Sequence, residues 1–273
     1  MSDDQRTTAT ANGMPRFGIG TWENTDPSAC ANAVKTALEA GYRHVDTAQI
    51  YDNEASVGRG IEQADVDREE VFLATKVWID SLAPEDVKRT TRESLDRLGV
   101  DYVNLLYVHW PAQAYDPETT LAAFEDLREE GLTKHIGVSN FEPRHLEKAT
   151  SVLGEPPFAN QIEMHPLLPQ TELRDAVADT RTEIVAYSPL ARGTVFDVPE
   201  ISAVASKHGV SEAQVSLAWL EEKGVTRIPK ATSREHIEDN WASLGLELDA
   251  EDVEKIDSID RTERQVDPSF APW

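Results

Sequence analysis

Four side chains in the first half of the chain have the types and order needed for proton chemistry at a carbonyl: Asp46, Tyr51, Lys76 and His109. A phenol, with a pKa of about 10, holds its proton too tightly to release it readily at neutral pH. An ammonium beside it stabilises the phenolate and lowers that pKa, each unit amounting to about 1.4 kcal/mol. A carboxylate paired with the ammonium keeps it charged and fixes its direction. Asp46, Lys76 and Tyr51 would form that relay, and His109 would hydrogen-bond a carbonyl and orient it beside the phenol. Each residue alone has a plainer reading. Asp46 and Lys76 are equally a structural ion pair, Tyr51 a helix-entry aromatic, and His109, ahead of Trp110 and Pro111, a satisfied core histidine. Their conjunction on three successive apolar runs is what points to a site.

Such a relay needs a scaffold that gathers distant residues. Eight strand-like runs alternate with helical patterns: Phe17–Trp22, His44–Ala48, Val71–Trp78, Tyr102–Trp110, Lys134–Asn140, Phe158–Met164, Glu183–Pro189 and Val225–Lys230. The helices between them have readable ends. Cys30, Val34, Ala37 and Leu38 make a stripe that stops at Gly41. Val87, Leu95 and Leu98 make another, between Pro84 and Gly99. Asp116 and Pro117 open a third as N-cap and first residue, and it closes at Gly131. Ser211 and Gln214 read as a capping box. Near-continuous apolar strands, each followed by a helix, imply a parallel sheet covered outside, and closure into an α/β (β/α)8 TIM barrel satisfies both edges. An open doubly wound sheet is the alternative. A further helix over Asp249–Asp260 and an apolar tail, Arg261–Trp273, complete the chain. The tail is expected to lie ordered across an open face.

Active sites of such barrels form at the carboxyl ends of the strands. Those ends carry Asp46, with Tyr51 just beyond, then Lys76 and Trp78, His109 and Trp110, Ser139 and Asn140, Gln161, Tyr187 and Ser188, and Lys230. Trp22, Trp78 and Trp110 end three of the first four strands. Their rings around a polar donor suit a small carbonyl substrate with a partly hydrophobic remainder.

Composition sets the boundaries. With 273 residues, 40% of them hydrophobic, the chain is long enough for one large barrel. The barrel is expected over residues 13–273, after a polar, frayed tail at 1–12 without a leader pattern. No apolar stretch is long enough to span a membrane. Cys30 is the sole cysteine, which fits a reducing, cytoplasmic setting and an ordinary helix residue. The net charge of −24 repels nucleic acid and anionic membranes, and it reads as adaptation to a salt-rich cytoplasm. A monomer is the default expectation.

The ordered motifs resemble the aldo-keto reductase family, in its bacterial 2,5-diketo-D-gluconate reductase B or methylglyoxal reductase type. They are GYRHVDTAQIYDNEASVG at Gly41–Gly58, TKVW at Thr75–Trp78, LLYVHWP at Leu105–Pro111, IGVSNF at Ile136–Phe141, NQIEMHP at Asn160–Pro166, AYSPLARG at Ala186–Gly193 and IPKATSREHIEDN at Ile228–Asn240. The resemblance covers Phe17 to Trp273. It implies transfer of the 4-pro-R hydride of a nicotinamide without metal or flavin, with Tyr51 as general acid, Lys76 and Asp46 tuning it, and His109 orienting the substrate. It implies that Ser139, Asn140 and Gln161 hold the carboxamide, that Tyr187 stacks on the ring, and that Ser188, Leu190 and Arg192 cover the pyrophosphate. Lys230, Thr232, Arg234, Asp239 and Asn240 fall in the adenosine-phosphate region. Thr21, Trp22 and Asp46 complete the expected cofactor contacts, and Trp22, Tyr51, Trp78, His109 and Trp110 the substrate contacts. Members that prefer NADPH often carry a serine and an arginine where Ala231 and His236 stand here. Lys230 and Arg234 would supply the charge instead, so NADPH is expected first and NADH use stays open.

Two other readings compete. A metal-dependent barrel hydrolase needs clustered ligands. Glu163 and His165 come near in spacing but make an incomplete site. A non-catalytic nicotinamide sensor needs the cofactor but no tuned phenol. Gly18 and Gly20 lack the third glycine of a Rossmann phosphate loop, so any cofactor must be held by the later strand ends.

Overall fold

The structure is a computed structural model that describes residues 12–273. The expected N-terminal tail lies outside the described residues except for Asn12, whose side chain donates to Arg181 O at 2.9 Å.

Eight strands form one sheet, all parallel, in sequence order. They are β1 (Gly18–Gly20), β2 (His44–Asp46), β3 (Phe72–Val77), β4 (Val103–Val108), β5 (Thr133–Ser139), β6 (Ala159–Glu163), β7 (Glu183–Tyr187) and β8 (Thr226–Arg227). Seven lie inside their expected runs, and β5 begins one residue earlier, at Thr133. The runs are longer than the ladders, and residues just past a strand end still keep one bond to the neighbour: Thr47 N donates to Ala74 O at 3.0 Å, His109 N to Val77 O at 3.2 Å and Asn140 N to Gln161 O at 2.9 Å. Isolated parallel bridges from Phe17 to Arg227 and from Gly20 to Lys230 bring the sheet back on itself. Glycine is required at that seam, since a Cβ on Gly20 would stand 2.8 Å from Ile228 O. The result is the (β/α)8 barrel.

Around it run α1 (Pro27–Glu39), α2 (Glu54–Gln63), α3 (Pro84–Leu98), α4 (Pro117–Glu129), α5 (Pro143–Leu153), α6 (Thr171–Val177), α7 (Pro199–His208), α8 (Glu212–Glu222), α9 (Arg234–Ala242) and the additional α10 (Ala250–Asp257). Their ends follow the expected chemistry. The Asp116 carboxylate accepts from Thr119 N at 2.9 Å, and Gly99 closes α3 in the left-handed region. One cap differs. Ser211 Oγ accepts from Gln214 N at 3.1 Å, but the Gln214 amide reaches Asp239 at 2.6 Å rather than back to Ser211, so only half a capping box forms.

Alternation along the strands separates two cores. Outward residues such as Ile19, Val45, Leu73 and Leu106 pack under the helices, with Cys30 among them. Inward residues, including Phe72, Ala74, Leu105, Tyr107, Ala159, Val185 and Ile228, fill the barrel with Met14. At the amino ends of the strands His44 packs edge-on to Phe72, and Phe158 stacks on Phe72 and on His135. That end is sealed.

Candidate active site

The opposite end opens into a cavity of about 680 Å³ at the carboxyl ends of the strands. Its floor is built from the first three strands. Lys76 on β3 is fully buried, and its Nζ donates to an Asp46 carboxylate oxygen on β2 and, at 2.8 Å, to Thr47 O. The other Asp46 oxygen accepts from Gln161 Nε2 on β6 at 2.7 Å. Asp46 is therefore held from two sides across the barrel axis. The Lys76 ammonium lies 5.1 Å from the centre of the Tyr51 ring.

Tyr51 ends a short 3-10 turn, Gln49–Tyr51, whose neighbours are tied down on both sides. Gln49 donates to Ser94 Oγ at 3.2 Å and accepts from Trp78 N at 3.2 Å. Asn53 accepts from Thr47 Oγ1 at 3.0 Å and donates to Thr21 O at 2.8 Å. Behind them Glu54, also buried, accepts from Thr75 Oγ1 at 2.6 Å and from Arg97. Gln49, Asn53 and Glu54 are positioning residues that sequence reasoning passed over. The signal was present in three polar side chains flanking the tyrosine in sequence.

The electrostatics differ from expectation at one point. Burial pushes the Tyr51 phenol well above its ordinary pKa, and the nearby Asp46 and Tyr187 add to the rise. Burial likewise lowers Lys76, opposed by Asp46. The pair offers Tyr51 a near-neutral neighbour rather than a bare cation, so its phenol keeps its proton. His109 is held well below the usual imidazole range by burial and by Lys76, and is neutral at ordinary pH. Its ring stands edge-on to Tyr51 and to Trp78, with centroids 5.9 and 5.0 Å away.

Fourteen of the residues singled out from the sequence, from Thr21 to Arg192, line this one cavity together with Lys230. Asn140 links several of them. Its Nδ2 donates to His109 O and Ser139 Oγ at 3.1 and 3.0 Å, and its Oδ1 accepts from Tyr187 at 2.8 Å. Asn140, Ser188 and Arg192 all adopt left-handed φ values, strain typical of segments shaped for a ligand. Arg192 lies over the Trp22 ring at 4.3 Å. Lys76 sits beneath the floor, behind Asp46. Thr232, Arg234, Asp239 and Asn240 lie off the cavity: Arg234 pairs with Glu238 on exposed α9, and Asp239 accepts from Ser211 and Gln214.

The tail lies across the open face as expected. Val266, Pro268 and Phe270 line the cavity, with Phe270 edge-on to Trp78 and Trp110. Ile50 and Phe196, both about half exposed at 48%, extend the apolar rim. Among the described residues no group of three or more His, Cys, Asp and Glu could hold a metal, and no helix is long and apolar enough to cross a membrane.

The cavity offers a ligand hydrogen-bonding groups, an aromatic wall and cations. Amide and hydroxyl groups converge at Ser139, Asn140 and Gln161, an aromatic wall stands at Tyr187, and cations stand at Arg192 and Lys230.

The Aldo/keto reductase family profile matches residues 11–261. Methylglyoxal reductase DkgB of Escherichia coli O157:H7 is 40% identical over 258 residues, covering 93% of this chain and 96% of its own. A solved structure carrying the name 2,5-diketo-D-gluconic acid reductase B superposes with a TM-score of 0.92 at 32% identity, covering 97% of both chains. The Bombyx mori aldo-keto reductase, solved in complex with NADP, superposes with a TM-score of 0.89 at 32% identity, over 95% of this chain and 94% of that one.

Proposed function

The chain belongs to the aldo/keto reductase family, and from that premise we propose that it reduces small aldehydes and ketones, dicarbonyls such as methylglyoxal foremost, with NADPH. It is an oxidoreductase that acts on carbonyls with a nicotinamide cofactor. The finer reading rests on one observation: a buried Lys76, anchored by Asp46, beneath the ring of Tyr51 on the floor of a cavity walled by indoles.

The nicotinamide, when bound, supplies the hydride. Ser139, Asn140 and Gln161 would hold its carboxamide, Tyr187 its ring, and Ser188, Leu190, Arg192 and Lys230 its phosphates. Tyr51 donates the proton to the carbonyl oxygen. A phenol held protonated by burial suits that duty, because a newly formed alkoxide is a far stronger base than a phenolate and takes the proton even from a phenol of raised pKa. Lys76 then stabilises the phenolate left behind, and Asp46 keeps Lys76 charged and aimed. His109, as a neutral imidazole, donates one hydrogen bond to the carbonyl without adding a charge. Trp22, Trp78 and Trp110 exclude water and cover the remainder of the substrate.

NADPH is placed ahead of NADH because Lys230 lines the cavity and Arg234 stands at the start of α9 nearby in sequence. Arg234 would have to leave Glu238 to reach a 2′-phosphate. We further read the protein as a cytoplasmic monomer fitted to high salt, a reading that sedimentation and activity at graded salt would check. The deciding experiment follows NADPH and NADH oxidation over a panel of carbonyls, with Tyr51→Phe as control. Turnover lost in the variant supports the reading. Retained turnover defeats the acid role, and cofactor binding without turnover in the parent protein points to a sensor instead.

A further inference from the structure

Glu163 and His165, which sequence spacing offered as an incomplete metal pair, have a different occupation. Both are fully buried, and His165 Nε2 meets Glu163 Oε1 at 2.9 Å. The same carboxylate accepts two backbone N–H groups of the tail: Gln265 N on Oε1 at 2.6 Å and Val266 N on Oε2 at 2.9 Å. Both oxygens are thus engaged by donors, which is the condition for keeping a carboxylate out of water. Glu163 also ends β6, opposite Tyr187 in the β6–β7 register. It therefore joins the cofactor wall to the segment that leads directly to Pro268 and Phe270.

We propose that Glu163 is a positioning residue for the substrate half of the site, acting through the tail it holds. This rests on the reductase reading above, but the clamp itself does not. With the two amides bound to a buried anion, the chain leaves residue 266 in a fixed direction. Phe270 is thereby set edge-on against Trp78 and Trp110, 6.0 and 5.4 Å between centroids. A second tie, Arg144 to Pro272 O at 2.7 Å, fixes the far end. The His165 ring, with Nε2 2.9 Å from Oε1, braces the carboxylate from the other side and so orients it for the tail. The pocket wall is therefore preset by an ionic anchor rather than by apolar contact alone. Substrates large enough to touch Phe270 depend on it, and methylglyoxal-sized carbonyls depend on it less.

Glu163→Gln is the test, because the amide keeps the shape and faces at least one tail N–H with a donor of its own. Loss of a hydrogen bond to a charged partner predicts about tenfold faster hydrogen exchange, or more, at the 265 and 266 amides, with the barrel strands unchanged. It also predicts a KM for an aromatic aldehyde raised about tenfold, with kcat and cofactor Kd within about twofold. Phe270→Ala should raise that KM alone, and adding Glu163→Gln to it should raise it little further, because both act through one wall. Tail amides that stay protected would overturn the proposal. So would a full Glu163→Gln penalty persisting in the Phe270→Ala background, or kcat and cofactor affinity falling while KM rises. If Glu163→Gln does not fold, Val266→Pro removes one of the two donors from the tail side and leaves the barrel intact. The same KM rise is expected there, and an unchanged KM overturns the proposal. If the parent protein reduces no carbonyl, the exchange measurement still decides the clamp, and the reductase reading alone has failed.

Discussion

The two ends of the barrel interior are made by the same strands and the same inward positions, yet they solve opposite problems. At the amino end His44, Phe72, His135 and Phe158 stack into a plug with Met14. At the carboxyl end, two residues further along β2 and four further along β3, Asp46 and Lys76 share a buried ionic contact under an open cavity. The plug gains from apolar burial. The floor spends part of that gain on desolvating two charges, which only mutual pairing and the bonds from Gln161 and to Thr47 offset. Stability and chemistry are thus separated along the strand axis, over a distance of two to four residues.

Substitutions at the two ends should give different signatures. Lys76→Met is expected to do the most damage, since it removes the phenolate's partner and strands Asp46. A loss of about 10³-fold or more in kcat/KM should accompany about 3–5 kcal/mol of destabilisation in urea unfolding. An unchanged midpoint would show that the pair is not the buried unit described. Tyr51→Phe should lower kcat by about 10³-fold, equivalent to about 4 kcal/mol, and leave the unfolding midpoint nearly in place. Phe72→Ala should reverse that pattern, costing about 3–5 kcal/mol of stability while kcat at 25 °C holds. If its kcat fell with stability, the two ends would not be separable.

The smallest effect is a pH dependence. Burial lowers His44 from the ordinary imidazole range to about 4. The folded state holds it neutral, whereas the unfolded chain binds a proton below about pH 6.5. Stability from this group is therefore complete above about 6.5 and is lost as pH falls toward 4, by about 3 kcal/mol at most. His109, also lowered by burial, adds a loss of the same sign. Urea midpoints measured between pH 7 and 4 should fall, and His44→Gln should flatten part of that slope. A variant slope identical to the parent's would remove His44 from the account.

Most of the scaffold was legible because its signals are local. Asp116 before Pro117, and Pro84 answered by Gly99, mark helix ends through backbone chemistry that does not depend on the rest of the fold. The strands were legible as runs but not as ladders. β8 keeps two ladder residues out of six, while Ile228 N still bonds Ala186 O and Lys230 bridges to Gly20, because pairing depends on the strands on either side. Helix α2 gave a poor signal because Gly58 and Gly60 interrupt it. A Cβ at Gly58 would stand 2.2 Å from Leu98 O, so the helix accepts low propensity in exchange for close packing.

Within the site, the residue types at the strand ends could be read, but their partners could not. Gln161, expected on the carboxamide, donates to Asp46. Ser211 and Gln214 engage Asp239, which was expected near the adenosine. The phenol's raised pKa was also hidden, because desolvation is a property of the assembled cavity and not of any spacing.

Cys30 is the chain's sole cysteine, and it is buried in α1, where burial pushes its thiol up to about 11. Such a thiol is almost entirely un-ionised at neutral pH and barred from reagents. Any cysteine placed at an exposed rim position, Phe196 for example, would then be the single addressable handle on the molecule. A fluorophore or spin label could be set beside the entrance and used to follow ligand arrival, with no native residue first having to be removed.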